Sequence, residues 1–282
     1  MDFFHQLDVL AYRMVVEVWA LFWPVLLAIC ILAPVERRFG REKHQLWRAW
    51  RFNLLWHLGL LVLVVTVSWT AWTEFVDWLG TFGGRRQWRL AAPDGSWELA
   101  ARVALALLVH DFFAYWSHRL QHAVPAIWAM HQFHHDERHM NASTSLRAHW
   151  INLPYVQVLV LVPMMWLLGF DVMTPAVYVV HGLFVAYTHM NVDIGHGKLS
   201  KLLVSPRYHR IHHASERYLH DSNYANILPL WDIVFRTHTA PGRTGVEGTG
   251  LDYMPSSASF ITAFFQPLVD WAHMLRRAVA RT

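Results

Sequence analysis

Four long stretches of this chain contain no charged residue, and they constrain the fold more than any other feature. They run from Val18 to Val35, from Phe52 to Thr73, from Ala148 to Phe170 and from Val172 to Val192. A helix needs about 20 apolar residues to cross a bilayer, so each stretch suffices for one crossing. Only 16% of the residues are charged, whereas soluble domains have about a quarter. The pattern predicts an all-α integral membrane protein.

A fifth apolar segment, from Val103 to Trp116, contains His110 and Asp111. Polar groups in such a segment are expected to face the interior of a helix bundle. We therefore expect four to five transmembrane helices. Basic connections stay on the cytoplasmic side of a membrane, which places the segment from His118 to Arg147 and the tail after Asp193 there as a helical cap. The basic residues that orient the chain follow the first stretch and are Arg37, Arg38, Arg41, Lys43, Arg48 and Arg51.

The histidines are grouped rather than scattered, since 15 of the 20 lie between His110 and His220. Three groups read H-R-L-Q-H, H-Q-F-H-H and H-R-I-H-H. Side chains three and four positions apart share one face of a helix, which is the spacing of metal ligands. One zinc ion takes three or four protein ligands, so eight imidazoles predict two metals. The eight candidate ligands are His118, His122, His131, His134, His135, His209, His212 and His213.

Several residues near these groups have less certain roles. His189 lies at the cytoplasmic end of the last span, where it is expected to supply a ninth ligand. His139, His149 and His181 are candidates for a tenth ligand or for a supporting contact. Asp111 lies seven residues before His118, on its face of the helix, where a carboxylate often accepts from a metal-bound imidazole; its alternative role is a buried acid capped by Tyr115 or Trp116. Arg147 and Arg210 are candidates for holding a phosphate or carboxylate headgroup, unless they serve only as surface charge.

Some familiar sites are excluded. The single cysteine, Cys30, rules out a cysteine-based metal site. Neither E-x-x-H nor H-E-x-x-H occurs, which excludes a carboxylate-bridged di-iron bundle and the common zinc-protease motif. Imidazole binds iron, zinc, copper and nickel, so the type of ligand does not identify the metal. A membrane haem protein with paired histidine ligands, a zinc-dependent membrane hydrolase and a metal transporter remain alternatives. Nothing in the sequence indicates a nucleic-acid partner.

Five sequence blocks resemble the fatty acid hydroxylase/sterol desaturase superfamily of membrane di-iron oxygenases. They are D-F-F-A-Y-W-S-H-R-L-Q-H at Asp111, W-A-M-H-Q-F-H-H at Trp128, N-A-S-T-S-L-R at Asn141, S-P-R-Y-H-R-I-H-H at Ser205 and N-Y-A-N-I-L-P-L-W-D-I-V-F-R-T at Asn223. Their order is most similar to the branch that contains alkylglycerol monooxygenases and bacterial sterol desaturase-like proteins. The sequence departs from several members at Val185, where they have a further histidine.

The resemblance implies that the eight histidines and His189 bind two iron ions, for which zinc can substitute in purified protein. It also implies O₂-dependent hydroxylation or desaturation of a lipid C–H bond, with electrons from a separate ferredoxin or small b-type cytochrome. The expected membrane is a bacterial inner membrane, or the endoplasmic reticulum membrane in a eukaryote, with the active site facing the cytoplasm.

Three regions are predicted along the chain. Residues 1–98 form a transmembrane region with two spans and a basic connection, and residues 99–240 form the catalytic domain. Residues 241–282 form a tail in which Phe260 to Arg277 mixes apolar and charged residues. Such a mixture is typical of a helix lying at a membrane surface, although a terminal helix packed against the protein would have the same sequence pattern.

Overall fold

The computed structural model describes residues 22–42, 47–63, 95–168, 175–240, 246–253 and 259–281. Every regular element in these ranges is a helix. Two isolated bridges, Gly40 with Val192 and Ala214 with Thr249, are the β pairing that the described residues contain. The predicted all-α fold is therefore confirmed for this part of the chain.

Nine α-helices form the described structure. The first two are α1, residues 22–39, and α2, residues 47–63. They are followed by α3 (Ser96–Ala123), α4 (Pro125–His135), α5 (Asn152–Leu168), α6 (Pro175–Thr188), α7 (Pro206–His212), α8 (Leu230–Val234) and α9 (Phe260–Val279). Helix α5 contains one π-helical turn at Gln157–Leu161. Short 3₁₀ turns occupy Ala142–Leu146, Gly197–Lys201 and Arg217–Leu219.

Helix α3 is the one helix among the described residues that is long and apolar enough to cross a membrane. It contains the whole of the predicted fifth segment, Val103 to Trp116. Helix α5 and the Val179–Thr188 part of α6 are apolar but shorter. The start of the first charge-free stretch and the end of the second lie outside the described residues. Four to five crossings therefore stay a prediction.

A sharp turn between α3 and α4 brings the first two histidine groups together. Helix α3 ends at Ala123, and the next residue, Val124, has an extended backbone (φ −109°, ψ 112°), as expected for a residue before proline. Pro125 then opens α4, where its missing N–H costs no hydrogen bond. The two helices pack side by side. The end of α3, with His118 and His122, consequently lies against the histidines of α4.

Buried carboxylates fasten three non-helical segments to the helices. Glu36 on α1 accepts hydrogen bonds from the backbone N–H groups of Ala142 (2.8 Å) and Asn191 (2.6 Å). Asp111 on α3 accepts from the backbone of Ile227 and Leu228, both at 2.9 Å. Hydrogen bonds to an ionised group stabilise more than neutral ones. The loops around the histidines are thus held in one conformation.

A third carboxylate, that of Asp232, is fully buried and organises the segment before α8. It accepts from the backbone N–H groups of Tyr224 and Ala225 at 2.9 Å, from the Tyr208 hydroxyl at 2.8 Å and from the Thr237 hydroxyl at 2.7 Å. Burial raises the pKa of this carboxyl above its usual range, because water no longer solvates its charge. The four donors offset that cost and fix the segment in place.

The predicted headgroup role of Arg147 is wrong, because its guanidinium is a structural tie. The side chain is 1% exposed and pairs with Asp136, and it donates to Asn53 Oδ1 (2.9 Å) and to the Phe133 carbonyl (3.2 Å). It also lies 4.3 Å from the centre of the Phe133 ring. Arg147 therefore joins α2 to the end of α4, and its donors are not available to a ligand.

The same correction applies to Arg210, which is 3% exposed. Its guanidinium donates to Glu42 Oε1 at 2.7 Å and to Asn191 Oδ1 at 3.1 Å. These bonds join α7 to the segments at 41–42 and 189–192. The sequence position near the histidines suggested a ligand contact, but tertiary packing commits this cation to neighbouring carboxylate and amide groups.

We predict that Arg147→Lys lowers the free energy of unfolding by about 1–3 kcal/mol, since lysine cannot donate to all of the partners of Arg147 and leaves buried acceptors unsatisfied. The measurement is denaturant unfolding of the detergent-purified protein. Arg48→Lys, at an exposed position of α2, is the matched control and should change the stability little. Equal stabilities of the two variants would contradict the structural role of Arg147.

Candidate metal centre

The nine histidines predicted as metal ligands lie in two groups, and seven of the nine are buried. The ligand nitrogens of each group lie within 4.8 Å of one another. The first group contains His118, His122, His131, His135 and His212, and the second contains His134, His189, His209 and His213. The side chains come from α3, α4, α7 and the end of α6. Their convergence is an observation, whereas binding of a metal by each of them stays a prediction.

Each H-x-x-H-H motif divides its side chains between the two groups. His131 and His135 of α4 belong to the first group, and His134 belongs to the second. In the other motif the order is reversed, since His209 and His213 belong to the second group and His212 to the first. Residues four apart lie near one line along a helix, whereas the residue three along is turned about 100° from the fourth. Two such helices facing each other therefore form two neighbouring sites.

The two groups adjoin one another. The rings of His135 and His213, which belong to different groups, are stacked with centroids 4.3 Å apart. The rings of His131 and His134 are also close, at 5.3 Å. Two ions held by these groups would be neighbours, so the arrangement fits a dinuclear centre better than two independent sites.

Backbone carbonyls set the direction in which several imidazoles present their lone pairs. The Nδ1 of His118 donates to the Tyr224 carbonyl at 2.7 Å, that of His212 to the Ser222 carbonyl at 2.8 Å, and that of His189 to the Val185 carbonyl at 2.7 Å. A carbonyl oxygen only accepts, so Nδ1 carries the proton in each ring. The neutral ring then has its lone pair on Nε2.

These Nε2 atoms point inward, where they meet other imidazole nitrogens instead of ordinary polar partners. His118 Nε2 lies 3.1 Å from His131 Nε2, and His189 Nε2 lies 3.1 Å from both His134 Nε2 and His209 Nε2. The Nε2 atoms of His122, His212 and His213 are buried without a hydrogen-bond partner among the described residues. Buried polar atoms rarely remain unpaired. Converging lone pairs fit a bound cation, and imidazole is a good ligand for iron and zinc.

Burial lowers the pKa of the six histidines that lie on α4 and α7 or directly after α7 well below the ordinary value of 6.5. The cause is loss of water around the charged form, reinforced by the other imidazoles of the cluster. The rings are accordingly neutral near pH 7, which is the form that binds a metal. These six are His131, His134, His135, His209, His212 and His213.

A short segment after the second H-x-x-H-H motif orients the first group. Ser222 and Tyr224 supply the carbonyls to His212 and His118, and the Asp221 carboxylate lies 3.5 Å from His122 Nδ1. Asp221 and Asn223 both have left-handed backbones, with φ of 59° and 58°, a conformation that Asp and Asn tolerate better than most residues. The roles of Ser222 and Tyr224 could not be predicted from the sequence, because both residues act through backbone carbonyls.

The remaining predicted residues lie elsewhere. Asp111 contacts the backbone of Ile227 and Leu228 and not a histidine. His139 is half-buried, with Nδ1 3.5 Å from Glu42. His149 uses both ring nitrogens in bonds to the backbone of Phe264 and Ile151. The ring of His181 is tilted against that of His110, with centroids 4.3 Å apart. None of the four belongs to either histidine group.

A cavity of about 280 Å³ opens beside the first group. Histidines of both groups line it, and an aromatic and apolar part of its wall lies next to the polar residues His220 and Asp221. Trp128 Nε1 donates to the Tyr253 hydroxyl at 3.0 Å, which fixes part of that wall. The lining includes His122, His135, His212, His213, Trp128, Leu251 and Tyr253.

Comparison with known proteins finds one matching family model and two kinds of relative. Residues 103–237 match the fatty acid hydroxylase family model, which confirms the resemblance over that part of the chain. The chain is similar to alkylglycerol monooxygenase of Homo sapiens, at 36% identity over 147 residues, and to ornithine lipid hydroxylase OlsE of Rhizobium tropici, at 31% over 163 residues. These matches cover 51% and 56% of this chain but 32% and 48% of the relatives. No solved structure matches the chain.

We predict that the purified protein binds two metal ions and that His212→Ala and His213→Ala each reduce this content by about one. His212 belongs to the first group and His213 to the second, so each change removes a ligand from a different site. Elemental analysis of detergent-purified protein measures the content of iron and zinc. His139→Ala, outside both groups, is the control. Unchanged metal content in both group variants would exclude this centre.

We also predict that the metal-free protein loses stability as the pH falls below 6.5. Above this value the group histidines are neutral in both the folded and the unfolded chain. Below it, the unfolded chain takes up protons that the folded chain, with its lowered histidine pKa values, does not. Each such histidine then costs about 1.4 kcal/mol per pH unit. Denaturant unfolding after chelation, on both sides of pH 6.5, should show this slope, and a flat profile would contradict it.

Proposed function

We propose that this chain is a membrane-bound oxidoreductase that uses O₂ and two iron ions to hydroxylate or desaturate a C–H bond of a lipid. The observation that carries the proposal is the convergence of nine histidines, seven of them buried, in groups of five and four, within the segment that matches fatty acid hydroxylases. The relatives are named for reactions on alkylglycerol and on ornithine lipid, which supports a lipid substrate. Sterols, fatty acyl chains and ether lipids are the substrate classes we consider.

The composition of the first group favours iron over zinc. A zinc site holds three or four protein ligands in a tetrahedron, whereas this group offers five imidazole nitrogens. A metal ion with a higher coordination number than zinc can bind more of these five nitrogens. Iron at this position supplies the redox chemistry of oxygen that protein side chains lack. A structural or hydrolytic zinc pair would leave the fifth imidazole of the first group without a role.

The alternative of a haem protein is less compatible with this geometry. Axial ligation of haem needs one imidazole on each side of a flat macrocycle. The imidazoles here surround two points, and rings from the two groups stack directly on each other at 4.3 Å. A haem site would also leave most of the converging nitrogens without a partner.

The protein's own residues would hold the ions, keep water away and position one carbon atom. Carbonyls at Val185, Ser222 and Tyr224 keep the proton of their histidines on Nδ1, so Nε2 stays free for the metal without any proton transfer. The cavity beside His122 and His135 has an aromatic wall, which suits a hydrocarbon segment of the substrate. Hydroxylation then follows R–H + O₂ + 2 e⁻ + 2 H⁺ → R–OH + H₂O.

The proposed location follows from the position of the centre on the helices. His118 and His122 lie in the last turns of α3, the one helix of the described residues that is long and apolar enough to cross a membrane. The centre would therefore lie just outside the bilayer, in a cap on the cytoplasmic side, at a depth that a lipid chain can reach. We propose the bacterial inner membrane as the location, or the endoplasmic reticulum membrane in a eukaryote. The proposed regions are the transmembrane region 1–98, the catalytic domain 99–240 and the tail 241–282.

Electrons would come from a separate donor protein. The two electrons in the reaction are not supplied by any side chain at the centre. A ferredoxin or a small b-type cytochrome, docking on the cap, matches this need. Neither protein is assigned by the comparisons.

The test is product formation from a lipid extract by iron-loaded protein in lipid nanodiscs, with a chemical reductant and isotopically heavy O₂. Hydroxylation should insert one labelled oxygen, whereas desaturation should remove two hydrogens without insertion. His134→Ala and His212→Ala should lower the rate at least ~100-fold, the scale expected when a metal site is disrupted, and His139→Ala should retain it. Turnover without O₂ or reductant would instead support a hydrolase, and a Soret band would support a haem protein.

A further inference from the structure

Helix α9 carries an apolar stripe that no described part of the chain covers. The residues of the stripe alternate in spacing of four and three, so they form one continuous line on the helix. Two of them, Ile261 and Val279, are each 73% exposed, and Leu275 is 68% exposed. The stripe consists of Ile261, Phe265, Leu268, Ala272, Leu275 and Val279, all exposed.

A second face of α9 is packed against the protein and prevents the helix from turning. Ala263 and Pro267 are buried. Gln132 of α4 donates to the Asp270 carboxylate, and Trp271 Nε1 donates to the carbonyl of Ala126 at 2.7 Å. The stripe therefore cannot be buried by rotation of α9, and its partner must lie outside the described chain.

A third face is polar and continues the surface of the cap. Gln266, Asp270, His273 and Arg277 repeat with the same alternating spacing. Three of these four residues border a cavity of about 220 Å³ between α9 and α4, which Gln132 also lines. An apolar face beside a polar one is the pattern of a helix that lies at a boundary between lipid and water.

The start of α9 lies at the expected level of that boundary. Phe260 packs against Phe52, with ring centroids 4.8 Å apart, and Phe264 stacks on Trp150 at 5.2 Å. Phe52 and Trp150 stand at the beginnings of two charge-free stretches, Phe52 to Thr73 and Ala148 to Phe170. Tryptophan is also common at membrane interfaces. Both contacts place α9 where two predicted spans meet the cap.

The charges of α9 favour lipid over a second copy of the chain. Arg276 follows Ala272 by four residues and precedes Val279 by three, so it lies at the edge of the stripe. Packing of two copies through the stripe would bury this cation, which is costly without a paired anion. At a membrane surface its guanidinium can reach the headgroups while its stem stays among apolar groups. Arg277 and Arg281 add positive charge that suits anionic headgroups.

We propose that α9 lies in the plane of the cytoplasmic membrane surface, with this stripe at the boundary between headgroups and acyl chains. Because α9 is fixed to α4, this contact also sets the depth of His131, His134 and His135 relative to the bilayer. The inference requires a membrane location but no particular reaction at the histidines.

The test places single cysteines on α9 in a Cys30→Ala background. Ala272→Cys reports on the stripe, and His273→Cys, one residue away on the polar face, is the matched control. Each is labelled with an environment-sensitive fluorophore, and the protein is reconstituted into vesicles of phosphatidylcholine and phosphatidylglycerol. We expect the label at 272 to shift its emission to the blue and to be quenched by spin-labelled acyl chains. The label at 273 should be quenched by iodide in water.

Three outcomes would overturn the proposal. Iodide quenching of both labels would mean that the stripe faces water. Shielding of position 272 from both quenchers, with disulfide cross-linking between copies, would identify a second chain as the partner. Failure of the protein to float with vesicles would contradict the membrane location as well. Leu105→Cys on α3, labelled in the same way, separates these cases, because lipid quenching there with iodide quenching at 272 would refute the α9 proposal alone.

Discussion

The direction of the imidazole lone pairs is the constraint on which the rest of this structure depends. Neutral histidine has one donor and one acceptor nitrogen, and the partner of the first decides where the second points. The carbonyls of Val185, Ser222 and Tyr224 take the donors. The acceptors then face each other inside the protein, an arrangement that is unfavourable unless a cation neutralises it. A bound metal ion would remove this repulsion. The hydrogen bonds that orient the rings therefore also make the binding of a cation favourable.

Holding those carbonyls in place requires buried charge at a distance from the centre. Asp232 fixes the backbone at Tyr224 and Ala225, while Asp111 fixes it at Ile227 and Leu228. Both carboxylates bind backbone N–H groups and not histidines. Their charges therefore lie behind the segment 221–228, and the carboxylate beside the first group is that of Asp221, 3.5 Å from His122 Nδ1. The left-handed residues Asp221 and Asn223 allow that segment to turn two carbonyls toward the rings.

The centre also lies at the C-terminal end of α3, the one helix of the described residues that is long and apolar enough to cross a membrane. Helix α3 carries histidines only toward its C-terminal half, with His118 and His122 in its last turns. The aromatic cavity next to these residues and the apolar stripe of α9 lie on elements that pack on α4. Placement of α4 at the membrane surface would bring a lipid chain to the metals without extracting the whole lipid into water, which avoids the cost of exposing a hydrocarbon chain.

The sequence by itself determined the helical fold, the nine histidines and the family resemblance, because these follow from charge-free length and from local i, i+3 and i+4 spacing. It did not determine how His131, His134 and His135 divide between two groups, since that division depends on which helix faces them. It also suggested ligand-binding roles for Arg147 and Arg210 that their buried partners exclude. Only the tertiary structure decided these points, because hydrogen bonds from residues distant in the chain set both the orientation of the imidazoles and the partners of each buried charge.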